Sequence, residues 1–219
     1  MNYCIVQARI DSKRFPGKSM AMIQGKPSLG HILDRIKNSE YTDKIIVATG
    51  RKDYNWKIIR YCIENDIEWY SGPEDNVLER YCNLIKEKNI NPDDNIIRIT
   101  GDCPLICAEI IDEMLLLIGD DIYIGNQEWC LEGTDVEIIK TKILLESLEK
   151  YKYDEHVTFR WKRDNIDKLK QYKYGEKKLN HIHYSLDTID DYIRILRLYH
   201  RFKEYQYFGY NEIVSVIGK

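Results

Sequence analysis

The sequence predicts an α/β protein with a mostly parallel central sheet and helices on both faces, and two observations carry that prediction. Short apolar runs alternate with segments whose apolar residues recur at helical spacing along most of the chain. The runs are continuous, as expected of strands covered on both faces. Tyr3 to Ala8 is the first such strand. Ser28 then stands as an N-cap before a helix carrying Leu29, Ile32, Leu33 and Ile36. Lys44 to Thr49 is the second strand, and Trp56, Ile59 and Ile63 mark one face of the helix that follows. Ile67 to Tyr70 is a short third strand, followed by a helix through Val77, Leu78, Tyr81 and Ile85.

Asn-Pro-Asp-Asp at 91 to 94 is a turn leading into Asn95 to Thr100, the fourth strand. A helix over Ile110 to Ile118, a strand over Asp121 to Ile124 and a helix around Leu144 to Leu148 continue the alternation. Between Gly125 and Gly175 the pattern loosens, with a strand at Val136 to Ile139 and a stretch rich in Lys and Tyr. This region is expected to be an insertion arm within one domain spanning residues 1–219. The chain then returns to a strand, His181 to Leu186, and an amphipathic helix, Ile189 to Phe202, with Ile193, Leu196 and His200 on one face.

Composition narrows the function. At 219 residues, with 43% hydrophobic and 32% charged residues, the chain can form a sizeable core. A net charge of −3 provides no electrostatic footprint for duplex binding, so nucleic acid is not an expected partner. The longest apolar run, near Met114 to Ile118, is far short of a membrane span, and the N-terminus does not resemble a secretory signal. Cys4, Cys62, Cys82, Cys103, Cys107 and Cys130 are scattered through apolar segments, without disulfide-scaffold or zinc spacing; a reduced cytoplasmic protein is expected.

In a parallel sheet, ligands bind beyond the carboxyl ends of the strands, near a switch in strand order. The first such loop carries Arg9, Lys13, Arg14 and Lys18, with Ser12 and Gly17 among them. Cations with backbone N–H groups suit a polyphosphate, although a solvated basic loop has the same composition. Gly17-Lys18-Ser19 imitates the end of a Walker A loop. The first glycine of that consensus is missing, and Gly25-Lys26-Pro27 interrupts soon afterwards. The fourth strand delivers Thr100, Gly101 and Asp102, while Asp187, Asp190 and Asp191 follow the last strand. Asp102 and a partner carboxylate facing the basic loop would make a metal–nucleotide site.

The motifs Q-A-R-x-x-S-x-R-x-P-G-K at 7 to 18, S-G-x-x-D-x-V-L-x-R-Y at 71 to 81, R-I-T-G-D-C-P-L-I at 98 to 106 and L-D-T-x-x-D at 186 to 191 appear in family order. Together they resemble the cytidylyltransferases that activate sugar acids as CMP conjugates, such as the acylneuraminate and Kdo cytidylyltransferases. The nearest subgroup is the one named for a spore coat polysaccharide biosynthesis protein. The resemblance implies a Rossmann-like fold of the nucleotide-diphospho-sugar transferase type.

It further implies that Gln7, Ala8, Arg9, Ser12, Arg14, Gly17, Lys18 and Thr100 bind the nucleotide, with Ser71 and Gly72 at the base. Arg9, Arg14, Lys18 and Asp102 would be catalytic, and Asp102 and Asp187 would hold Mg2+. Arg98, Glu137 and His156 would face the acceptor. CTP and an acidic small molecule are the implied substrates, and a homodimer formed through residues 125–175 is the implied assembly. Asn76, Ser19-Met20 and the short chain depart from the family pattern and bear mainly on the acceptor. A glycosyltransferase on the same fold, or a nucleotide-binding regulator without turnover, are the competing readings.

Overall fold

The first apolar run forms β1 (Asn2–Ala8), and its alternation of side chains explains why the sheet must be covered twice. Cys4, Val6 and Ala8 enter one apolar cluster, whereas Tyr3 and Ile5 enter another. The same division runs through β4 (Lys44–Thr49), where Val47 faces the first cluster and Ile46 and Ala48 the second. In β6 (Asn95–Thr100), Ile97 and Ile99 face the first and Ile96 the second. The computed structural model describes residues 1–174, 179 and 182–217.

Between β1 and β4 lie a two-strand ribbon, β2 (Met22–Ile23) with β3 (Lys26–Pro27), and helix α1 (Ser28–Ile36). Helix α2 (Lys52–Glu64) leads to β5 (Glu68–Ser71), and α3 (Val77–Glu87) leads to β6. Helix α4 (Ala108–Ile118), β7 (Tyr123–Gly125), β8 (Glu137–Lys140) and α5 (Thr141–Tyr151) follow. Last come α6 (Phe159–Asp164), β9 (Lys170–Gln171), α7 (Ile189–Arg201) and α8 (Tyr210–Ile217). Helices α1, α2, α4, α7 and α8 cover the first face of the sheet; α3, α5 and Trp161 of α6 cover the second.

The seven strands run in the order β5-β4-β1-β6-β8-β7-β9. The four on the β5 side of β8 pair in parallel, as the sequence predicts, while β8 is antiparallel to both neighbours. Strand order therefore reverses between β1 and β6, opening the crevice where such sheets take ligands. Residues 125–175, expected as an arm, place β8 and β9 within this same sheet.

Some predicted faces are turned. In α2 the buried residues are Asn55, Ile58 and Cys62, while Trp56 and Ile63 are exposed. In α7 they are Ile195, Leu198 and Tyr199, with Ile193 and His200 outside. Ser28 is the first residue of α1 rather than its cap, and its buried hydroxyl has no partner. Among residues 182–186 there is no strand, only a bridge between His183 and Glu132; His181, the predicted start, lies outside the described residues.

Candidate active site

The loop after β1 is held by its own backbone and by α2. The N–H groups of Ser12 and Gly17 donate to the Ile10 carbonyl at 3.0 and 2.9 Å. The buried Asn55 amide accepts from Ile10 N at 2.9 Å and donates to Glu74 at 2.9 Å. This is why a polar residue occupies the buried face of α2. Gly17, at φ 77°, adopts the left-handed conformation that opens the 3-10 turn Lys18–Met20. That single turn, where a Walker A loop would begin a full helix, excludes the P-loop reading.

Across the switch point, Gly101 N donates to the Gln7 carbonyl at 2.7 Å. A Cβ on Gly101 would lie 2.8 Å from both that carbonyl oxygen and Ala8 Cβ, so only glycine allows the strand ends to approach this closely. Gly101→Ala is expected to splay the loop from Asp102 and lower kcat/KM about a hundredfold with folding intact, checked by steady-state kinetics beside circular dichroism. An unchanged kcat/KM would show that the close approach is immaterial.

The crevice is a cleft of about 400 Å3. Gln7, Ala8, Arg9, Ser12, Arg14 and Lys18 line it from the β1 side, and Arg98, Thr100 and Asp102 from the β6 side. His156 and Asp187 complete the predicted residues that it gathers. Lys18 Nζ donates to Asp102 at 2.6 Å and to Asp187 at 2.8 Å, and Arg14 pairs with Asp187 at 2.8 Å. Leu186 N donates to the Asp102 carbonyl at 2.7 Å, seating Asp187 beside the end of β6. Burial opposes charge on both members of the first pair, but the ion pairing outweighs it. Lys18 is held above the usual lysine range and Asp102 below the usual carboxylate range.

Arg9 reaches the other end of the cleft, pairing with Glu155 at 3.2 Å and Asp75 at 3.7 Å. Ser71 and Gly72 do not line the cleft: Ser71 Oγ donates to the Gly50 carbonyl at 2.7 Å. Gly17 shapes the loop without lining the cavity. The cleft adds Val77 and Arg80 of α3, neither singled out from the sequence. The Arg in V-L-x-R-Y was the available signal. Asp190 and Asp191 lie in the first turn of α7, where Asp191 forms a capping box with Thr188.

Glu137 belongs to an adjoining cavity of about 350 Å3 that shares Arg98 and Thr100 with the cleft. The β6–β8 register sets Glu137 opposite Arg98. Its carboxylate accepts from Arg98 at 2.5 Å, Lys162 at 2.6 Å, Tyr123 at 2.8 Å and Thr158 at 3.0 Å. Burial would raise its pKa from 4.5, but Arg98 and Lys162 override that and hold it at about 2. A depressed carboxylate stabilises the fold above its unfolded pKa, and that stability drains away as pH falls through the folded value. The group therefore contributes about 3 kcal/mol near neutrality, lost between roughly pH 5 and 2. Glu137→Gln, which takes the buried counter-charge from two partly buried cations, is expected to cost about 3 kcal/mol at pH 7 and to flatten the acid limb of urea midpoints against pH. A variant as acid-sensitive as the parent would refute this.

A basic loop facing two carboxylates across a switch-point cleft defines a nucleotide-binding enzyme of the Rossmann-like nucleotidyltransferase class. The sequence profile of the family described as cytidylyltransferase matches residues 3–212. The chain belongs to the cytidylyltransferase family and is a CTP-dependent nucleotidyltransferase.

It is 26% identical to spore coat polysaccharide biosynthesis protein SpsF of Bacillus subtilis (strain 168) over 98% of this chain and 93% of that one. It is 31% identical to a 3-deoxy-manno-octulosonate cytidylyltransferase of Thermodesulfovibrio yellowstonii over 54% of this chain and 48% of that one. The solved structure of a cytidylyltransferase from Leptospira borgpetersenii serovar Hardjo-bovis superposes with a TM-score of 0.87 at 27% identity, over 99% of this chain and 93% of that one. No described helix is long and apolar enough to cross a membrane.

Proposed function

We propose that this enzyme transfers CMP from CTP to a sugar acid or a similar acidic acceptor, releasing pyrophosphate, in polysaccharide biosynthesis. The observation that carries the reading is the cationic loop set against two carboxylates, its Lys18 ammonium held between Asp102 and Asp187. Two relatives support the acceptor class, SpsF by the polysaccharide biosynthesis in its name and the octulosonate enzyme by its sugar acid, while the Leptospira structure supports cytidylyl transfer.

The acceptor oxygen attacks the α-phosphorus as the bond to the β-phosphate oxygen breaks, and the electron pair leaves with pyrophosphate. Lys18, Arg9 and Arg14 stabilise the charge that builds on the phosphates. Gln7, Ala8, Ser12 and Thr100 line the nucleotide's path, Gly17 shapes its loop, and His156 stands where an acceptor hydroxyl could be deprotonated. Arg98, bonded to Gln7 and Glu137, fixes the wall between the two cavities.

Among the described residues no group of three or more His, Cys, Asp or Glu could enclose a metal ion, so the protein contributes two carboxylates. That donor set fits Mg2+, which takes one or two carboxylates and completes its shell with water and substrate phosphates. Asp102 and Asp187 would hold it, and bound there it would neutralise phosphate charge. A homodimer through residues 125–175 and a cytoplasmic location complete the proposal.

The test is pyrophosphate release with magnesium, each nucleoside triphosphate and a panel of sugar acids, sugar phosphates and phosphonates. Release with CTP and a sugar acid is expected. Release only with a non-acidic acceptor would refute the acceptor class, and transfer from a nucleotide sugar without pyrophosphate would favour a glycosyltransferase.

A further inference from the structure

Arg80 is 2% exposed, yet among the described residues only one of its three guanidinium nitrogens is hydrogen-bonded. Nη1 donates to the carbonyls of Pro73 at 2.7 Å and Glu74 at 3.1 Å. Nε is buried without a partner, and among the described residues Nη2 has no hydrogen bond and no carboxylate forms an ion pair with this side chain. Of the two nearby acids, Glu74 uses Oε2 for Asn55 and Arg51 N while its Oε1 is buried without a hydrogen bond to Arg80, and Asp75 pairs with Arg9. A buried guanidinium with incomplete bonding is costly unless something supplies the missing acceptors. Arg80 lines the nucleotide cleft, so a ligand can supply them.

The edge without partners is the Nε–Nη2 side of the fork, which carries two nearly parallel N–H donors suited to two adjacent acceptors. The cleft has a second set of cations for phosphate, the Arg14–Asp187–Lys18–Asp102 lattice. Arg80 lies outside that lattice, on α3 with Val77. Cytosine carries O2 and N3 as neighbouring acceptors; uracil replaces the N3 acceptor with an N–H donor, which would confront the guanidinium with like polarity.

We propose that Arg80 selects cytosine over uracil by donating from Nε and Nη2 to O2 and N3 of the base. Family membership gives CTP as substrate without saying what reads the base; this inference adds the residue and moves recognition from Ser71 and Gly72 to α3. Gly72 keeps an indirect part. A Cβ there would fall 2.8 Å from Tyr70 Cε1 and 3.1 Å from Arg80 Cγ, pushing the arginine from its seat.

The first measurement uses the unaltered protein, so folding of a variant is not at issue. Calorimetric binding of 3-deaza-CTP, whose C–H replaces N3, is expected to be about tenfold or more weaker than that of CTP. The second uses Arg80→Lys, which keeps the charge but loses the fork. CTP affinity is expected to fall about 10- to 100-fold while UTP affinity changes little, and the 3-deaza penalty should vanish. Equal binding of CTP and 3-deaza-CTP by the unaltered protein, or equal losses for CTP and UTP in the variant, would overturn the proposal. No CTP binding by the unaltered protein would overturn the cytidylyl-transfer reading itself, and this one with it.

Discussion

Asp102→Asn is expected to lower kcat for pyrophosphate release by about 10³-fold or more, because it removes one of the two carboxylates proposed to hold a divalent ion and leaves the side-chain shape intact. The site leaves little redundancy. Asp187 reaches the same ammonium from a different segment, and among the described residues no group of three or more His, Cys, Asp or Glu is placed to hold a metal ion. Binding of CTP without metal should change much less than turnover, since the basic loop stays in place. Initial rates at saturating CTP decide the matter, and a variant within tenfold of the parent would remove Asp102 from the chemistry.

Lys18→Met should lower kcat by about 10²- to 10³-fold, the scale seen when a preorganised donor to developing charge is removed. Its side chain is 13% exposed and bonds both aspartates, so its loss leaves Asp102 without its ion-pair partner and Asp187 with Arg14 alone. The free variant should melt at a lower temperature than the parent, and added magnesium should raise its melting temperature by more than it raises the parent's. Thermal scans with and without magnesium test this. An equal metal response in the two proteins would mean that Lys18 does not compete for the carboxylates.

Much of this arrangement is legible in the sequence because parallel strands carry it. The buried runs at Tyr3–Ala8, Lys44–Thr49 and Asn95–Thr100 have no polar alternation, so their extent and their shared direction follow from composition. The loop cations and Asp102 then fall at strand ends by necessity. Direction is harder to read where no crossover helix intervenes, and β7 and β8 have none between them. Helix faces were misjudged where function displaced hydrophobicity. Asn55 is buried to hold the β1 loop, so the large apolar residues Trp56 and Ile63 are left outside. Arg80 was hidden differently, because an arginine in a helix normally points to water and only the packed chain reveals that this one does not.

The order in which the chain leaves the ribosome gives the site a built-in delay. Strands β1, β4, β5 and β6, with the cationic loop and Asp102, all lie within the first 102 residues, so that half of the sheet can pair early. Asp187 emerges 85 residues later, and the Leu186 bond to the Asp102 carbonyl is what seats it. A nascent or truncated chain can therefore possess a nearly finished nucleotide loop while still lacking half of its acidic pair. Catalytic competence is withheld until the segment around Asp187 has been made and seated.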